Sequence, residues 1–487
     1  MEYEVVVVGG GIGGLTVAAL LAARGMSACL FERQSQVGGC VANFEFQGYT
    51  FEPTSGLYTG WEPGAIHERI FSELPVGPPE VRRLSPAYVV RSPDHQDVVV
   101  SGQREKFAEN LRAAFPECAD AAASFYRELD QVAHTWLEKH NHSHGLESNA
   151  AVHNSTLLNP GADTTGVHLG NTSPGFQRFI DAQLQTFDLC ASDRCSYLAA
   201  ALTLTAPQRG MWSIRGGAQT LADRLAESIK TSGGSLRLNS TVLRLAYASD
   251  GSPIGVDLLS GERVIATRAI ISNLTIWDTY GRLVGLNRTP AAVSAQLKVL
   301  EGSGAYMLFL GMDQSAGARI TTDHLLILGD WRHASEGEKI QMTFAAAPGW
   351  DARAPEGKRA VTVWIPADAS DWFAFHQDET AHEEQDQATL ERLWPHLHAA
   401  MPELGDGIEV IESATPRTFH EATRRKLGMV GGLRSTSARM TSRNATTIFP
   451  NLFLVGDTAG PGNGVEAVAK SALDLAQTLA RKPLPII

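Results

Sequence analysis

The sequence predicts an α/β fold built on a parallel sheet, and three observations carry that class. Val5-Val6-Val7-Val8 is a run of β-branched residues, the pattern of a strand buried on both faces. Glycine follows at once in Gly9-Gly10-Gly11-Ile12-Gly13-Gly14, and the alanine- and leucine-rich stretch 15–23 has the length and composition of a helix, closed by Gly25. Later, strong strand patterns at 306–311 and 361–365 precede a helical pattern at 380–393, the order of a mixed sheet flanked by helices. Pro395 is expected to end or kink that helix.

Each part of the opening unit has a physical role. Gly9 permits a tight turn from strand to helix, Gly11 lets a pyrophosphate approach the backbone, and Gly14 lets helix and strand pack closely. Ile12 and Gly13 lie in the first helical turn, whose unpaired N–H groups and positive dipole end suit phosphates. Residues 26–32 read as the next strand, with Glu32 at its carboxyl end, where a carboxylate can accept hydrogen bonds from a ribose. Strand, glycines, helix, strand and acid in this order predict a Rossmann-type dinucleotide site. After Glu32 come Arg33 and then the pair Gly38-Gly39 with Cys40, which suggests a second close approach of backbone to the cofactor.

Composition bounds the function. At 487 residues the chain is long enough for two domains. Acidic residues outnumber basic ones 53 to 41, for a formal net charge of −12, which argues against a nucleic-acid partner. The first strand lies almost at Met1, leaving no room for a cleaved signal peptide, and no uncharged apolar run is long enough to span a membrane. Peripheral contact with a membrane stays open. Cys29, Cys40, Cys118, Cys190 and Cys195 are odd in number without C-x-x-C spacing, which points to free thiols in a reducing cytoplasm. His140, His142, His144 and His153 sit among Asn, Ser and Gly; this reads as a solvated loop, and no metal is assigned.

Residues 44–51 alternate aromatic and polar across a turn, as a hairpin does. Residues 98–100 read as a strand, and 105–115, 119–138, 176–189 and 195–204 as helices. The polar, aperiodic stretch 139–175 reads as a long surface loop or lid. Trp212-Ser213-Ile214-Arg215-Gly216-Gly217 introduces a helix through Leu221, Leu225 and Ile229. Segments 235–245, 254–259 and 263–271, joined by the turn dipeptides Asp250-Gly251 and Ser260-Gly261, read as a three-stranded meander. Arg424, Arg425 and Lys426 read as a solvated loop. Near the C-terminus, 451–457 is a buried strand ending in Gly456-Asp457, followed by a loop of glycines and a helix over 466–480.

The run from Gly38 to Phe51, together with the opening glycine unit, resembles the phytoene desaturase and carotenoid isomerase family of FAD enzymes. The Trp212–Gly217 turn, Thr415-Pro416-Arg417-Thr418 and the closing Gly-Asp motif resemble the same family. The resemblance implies an FAD-binding domain over 1–60, 212–284 and 430–487, with a β-meander inserted between its halves, and a mixed α+β substrate domain over 61–211 and 285–429. It implies that Val242 pairs with the adenine through its backbone, that Ser55 and Gly56 lie at the flavin ring, and that Gly456, Asp457, Gly464 and Val465 meet the ribityl, pyrophosphate and pyrimidine regions. Two such motifs at opposite ends imply FAD rather than NAD. The run Glu52-Pro53-Thr54-Ser55-Gly56 departs from the Asp-Val-Gly type usual in that family, and Glu466 stands where a small residue is common.

A flavin carries the redox step itself, so no catalytic triad is expected and none is found. The implied reaction is hydride transfer to or from flavin on an apolar polyene or isoprenoid. Tyr58, Trp61 and Trp212, with Tyr49 and Phe51, are candidates to line the substrate space. Two alternatives stay open: a flavin-dependent tailoring oxidase or dehydrogenase of a smaller natural product or amine, and a non-catalytic binding protein without flavin. The mostly polar stretch 441–449 counts against an amine oxidase, which usually has paired aromatics there. The electron acceptor is open in each case.

Overall fold

The computed structural model describes residues 1–93, 96–141, 163–328, 341–373, 378–433, 447–459 and 463–481. Most of the expected loop at 139–175, with His142, His144 and His153, lies outside them, as do Gly460, Pro461 and Gly462.

Two seven-stranded sheets organise the chain. In the first, β1 (Glu2–Val8) pairs in parallel with β2 (Ala28–Phe31) on one side and β12 (Arg263–Ser272) on the other. β12 pairs in parallel with β18 (Leu452–Leu454), so strands from both ends of the chain share one sheet. The valine run explains its depth. Val5 and Val7 face the helices, and Val6 and Val8 face the layer of Trp277, Tyr280 and Leu283. Helix α1 (Ile12–Ala23) is buried almost throughout, packed between the helices Ala218–Thr231 and Gly464–Arg481. Its all-round apolar composition suits that middle position.

The inserted meander is present, but its first strand differs from the expected one. Segment 235–245 is two strands. β9 (Ser235–Arg237) forms the far edge of the parallel sheet beside β2, and β10 (Val242–Tyr247) pairs with β11 (Pro253–Leu258). Between them Asn239 takes a left-handed φ of 51°. There the amides of Asn239 and Ser240 bond the carbonyls of Gln34 and Glu32 at 3.0 and 2.8 Å, binding the end of β2 instead of continuing the strand. The meander's third strand is β12 itself, so it continues the parallel sheet.

The second sheet has the order β17-β13-β16-β15-β14-β6-β7: Ile408–Ala414, Gly304–Met312, Arg359–Ala367, Gln341–Ala346, His324–Leu328, Tyr88–Arg91 and Asp97–Val100. The hairpin β3–β4 (Phe44–Phe46 and Tyr49–Phe51) packs against it, with Phe44 edge-on to Phe309 at 4.7 Å and the Tyr49 hydroxyl on Glu409 at 3.0 Å. Tyr49 and Phe51 are thereby core residues, and Phe51 also lines the cleft beside Gly56. The helix Glu379–Ala400 does not end at Pro395 but continues past it. Leu393 and Leu397 on either side are fully buried against the sheet, and that burial outweighs the roughly 3 kcal/mol cost of an interior proline.

Among the described residues no helix is long and apolar enough to cross a membrane, and no cluster of His, Cys, Asp and Glu could hold a metal. All five cysteines are free thiols.

Candidate functional site

The carboxyl ends of β1, β2, β12 and β18 converge on one cradle. Gly9 ends β1 and its amide bonds Phe31 on β2 at 2.9 Å. Gly14 is required by packing, since a Cβ there would lie 2.1 Å from the Gly9 carbonyl oxygen. Gly11 precedes α1 in extended backbone, and no side chain caps the first turn, which leaves the amides of Gly13 and its neighbours for a ligand. The Glu32 carboxylate accepts the Gly10 amide at 2.7 Å and the Gln34 amide at 2.8 Å. Each oxygen keeps a lone pair for a ribose hydroxyl.

The second glycine pair abuts the first. Gly38 donates to the Gly10 carbonyl at 2.9 Å, and a Cβ on Gly39 would come within 3.3 Å of the Gly11 Cα. Cys40 follows beside Arg425; burial raises its thiol pKa, and the guanidinium works against that rise. Val242 begins β10 directly after the crossing that binds Glu32 and Gln34, so it stands at the same edge. Arg33 turns away from the glycines to the end of the helix Pro416–Thr423, donating to the Ala422 carbonyl at 2.6 Å.

The far end of the chain closes the cradle. A Cβ on Gly13 would lie 3.1 Å from the Gly456 amide nitrogen and 2.7 Å from the Asn273 Oδ1. Asn273, at the end of β12, thus sits between the opening and closing glycine motifs, and sequence reasoning did not single it out. Gly464 and Val465 open the last helix, with Val465 packed on the core around α1. Glu466 turns toward Thr59 and Gly60; burial raises its pKa.

Arg425 is a correction. Its guanidinium is drawn in to Asp457 at 2.8 Å and to the carbonyls of Met429 and Gly431 at 2.7 and 3.1 Å, whereas Arg424 and Lys426 on either side are exposed, as expected of a solvated loop. Asp457 lies at the cradle with this arginine as its partner. Lys426 lies over the Trp277 ring. The Thr-Pro-x-Thr motif is a capping box: Thr415 accepts the Thr418 amide, and Thr418 accepts that of Thr415.

Ser55 and Gly56 lie across from the second sheet, where a Cβ on Gly56 would meet His324 Nε2 at 3.0 Å. The segment before them is braced by a buried ionic cluster. The Glu52 carboxylate bonds the Tyr58 hydroxyl, the Ala218 amide at 2.9 Å and Arg353 Nη1 at 2.5 Å. Asp351 bonds Arg353 Nε at 2.6 Å and the Gly216 amide at 2.9 Å. Desolvation acts to raise the Glu52 pKa, but Arg353, Tyr58 and Ala218 outweigh it and the carboxyl lies below its ordinary value. Tyr58 and Trp212 exchange backbone hydrogen bonds at 3.0 and 2.8 Å, and Trp61 stacks on His67 at 4.1 Å.

The cradle fits a dinucleotide on grounds beyond the glycines. Buried polar atoms around it have no partner among the described residues: Asn43 Oδ1 and Gln219 Oε1 beside the turns at Gly216 and Gly38, and Asn463 Nδ2 beside Gly432 and the last helix. Each such atom costs about 1–3 kcal/mol unless a ligand or water satisfies it.

Comparison with known proteins agrees with this geometry. The sequence pattern of flavin-containing amine oxidoreductases matches residues 12–480. Prolycopene isomerase 1 of an Oncidium hybrid cultivar is 25% identical, over 98% of this chain and 84% of its own. All-trans-retinol 13,14-reductase of Danio rerio is 26% identical, over 93% of this chain and 82% of its own. In fold, the chain is similar to an oxidoreductase from Methanosarcina mazei, with a TM-score of 0.67 and 16% identity over 98% of this chain and all of that one.

Proposed function

We propose a substrate class for a chain that belongs to the flavin-containing amine oxidoreductase family: this FAD-dependent oxidoreductase acts on a long, apolar, conjugated polyene or isoprenoid. FAD supplies two-electron hydride chemistry when bound. Gly9, Gly11, Ile12, Gly13, Gly14 and Glu32 would hold its adenosine and phosphates with Gly38, Gly39, Val242, Gly456 and Asp457. The last helix presents its N-terminal dipole end on the same side, which favours negative charge there.

The carrying observation is that two relatives aligned over nearly the whole chain are named for polyene chemistry, an isomerase and a reductase. The amine alternative rests on a family description and on likeness of fold, which is weaker support. Ala345, Ala346, Ala347 and Ala360 line the cleft beside Gly56 with small side chains.

The test is anaerobic incubation of the flavin-loaded protein with a conjugated polyene, followed by chromatography of the pigment. A change in its geometry or in the number of conjugated double bonds supports the reading. Turnover of small amines with no change in the polyene overturns it.

A further inference from the structure

Beside Gly56 lies a cleft with room for about one water molecule, roughly 20 Å³. Thr54, Ser213, His324 and Arg353 line it. Two of these side chains are buried without a protein partner among the described residues. His324 is 4% exposed and its ring nitrogens bond no described residue. Ser213 is 2% exposed and its Oγ has no partner.

The charged side chains on the wall are bound to one another. Arg353 spends Nε on Asp351, Nη1 on Glu52 and Nη2 on the Ile214 carbonyl at 3.0 Å. Glu52 is equally occupied by Tyr58, Ala218 and Arg353. A carboxylate entering the cleft would face the Glu52 carboxylate, and an ammonium would face the Arg353 guanidinium. Burial pushes the His324 pKa down to about 4, against the opposing pull of Asp323 and Glu52. The ring is therefore neutral near pH 7, with one donor and one acceptor. A hydroxyl is its match in both senses, and its size is that of the water the cleft can hold.

We propose that this cleft receives the neutral oxygen end, a hydroxyl or carbonyl group, of an otherwise apolar substrate, held by His324 and Ser213. The inference rests on the polyene reading above and narrows it. The substrate would not be a bare hydrocarbon but one oxygenated close to the carbons at the flavin.

The experiment uses the flavin-loaded protein and four conjugated chains of equal length, ending in a methyl, an alcohol, a carboxylate or an ammonium group. Affinities are read from quenching of tryptophan fluorescence. The wild type is expected to bind the alcohol about tenfold more tightly than the methyl-ended chain, the worth of one to two net hydrogen bonds. His324→Leu with Ser213→Ala should erase that advantage, and His324→Asn should restore part of it. Ser213→Ala and His324→Asn alone carry the test if the leucine variant fails to retain flavin. Equal binding of alcohol and hydrocarbon, a preference that survives in the variants, or tightest binding of the carboxylate or ammonium chain overturns the inference and leaves the polyene reading standing. Failure of all four to bind overturns both.

Discussion

Replacing Gly11 by valine would separate the cradle's binding role from its role in the fold. Gly11 has φ −76° and ψ 174°, extended backbone that valine adopts without strain. A Cβ there meets a single atom within 4 Å, the Asn273 Nδ2 at 2.8 Å. That amide is the free end of a side chain, and its bond to the Gly9 carbonyl is already long at 3.4 Å, so it can swing aside. The cost to the flavin-free fold should stay on the order of 1 kcal/mol or less, a fall in Tm of no more than about 4 °C. The valine methyls would stand where the diphosphate must approach, and overpacking of about 1–3 kcal/mol there lowers FAD affinity about five- to 150-fold. The assay pairs flavin content per chain after gel filtration with the Tm of both proteins stripped of flavin. Wild-type flavin content in the variant would refute the assignment of Gly11. A large loss of Tm in the stripped protein would refute the separation of binding from folding.

Other perturbations follow from the same contacts. Gly14→Ala should destabilise even the stripped protein, by about 1–3 kcal/mol or more, because the clash at 2.1 Å is with the Gly9 backbone; an unchanged urea midpoint would contradict the packing. Arg353→Met leaves Glu52 and Asp351 buried without a counter-charge and should cost about 3–5 kcal/mol in urea unfolding, so a loss under about 1 kcal/mol would contradict the cluster. Asp457→Ala should lower flavin occupancy more than stability, and unchanged occupancy would count against its place in the cradle. His324 and His67 are held neutral by burial, with pKa values lowered from 6.5 to about 4 and about 3. Unfolding lets them bind protons at their ordinary value. Stability is therefore full above about pH 6.5 and falls as pH drops toward those values, by on the order of 1 kcal/mol per pH unit per ring. Urea unfolding at pH 7.5 and pH 5 checks this, and His67→Gln with His324→Gln should flatten the difference.

The opening unit was legible because its information is local. Val5-Val6-Val7-Val8, the glycine spacing and Glu32 lie within one strand–helix–strand passage, and the structure gives each a contact that its residue type demands. The hairpin at 44–51 was legible for the same reason, through alternation. What was missed depends on partners far away in sequence. Glu52 and Arg353 are 301 positions apart, and neither signals the other. Arg425 looked like one of three surface charges until the strand ending in Asp457 came beside it. Asn273 and His324 are single polar residues at strand ends, with no spacing to mark them. The split of 235–245 turned on the amides of Asn239 and Ser240 finding carbonyls at the end of β2, a tertiary contact that overrode strand propensity. Pro395 failed to break its helix because the sheet beneath rewards Leu393 and Leu397 more than the missing hydrogen bond costs.

The central claim is that segments from the two ends of this chain build a single FAD site on the carboxyl edge of one sheet. Titration of the flavin-stripped protein with FAD, in the wild type and in the Gly11→Val and Asp457→Ala variants, tests it most directly. One FAD per wild-type chain, with affinity lowered by either substitution, is the predicted result. An apoprotein that takes up no FAD, or a site that only one of the two substitutions weakens, would contradict it.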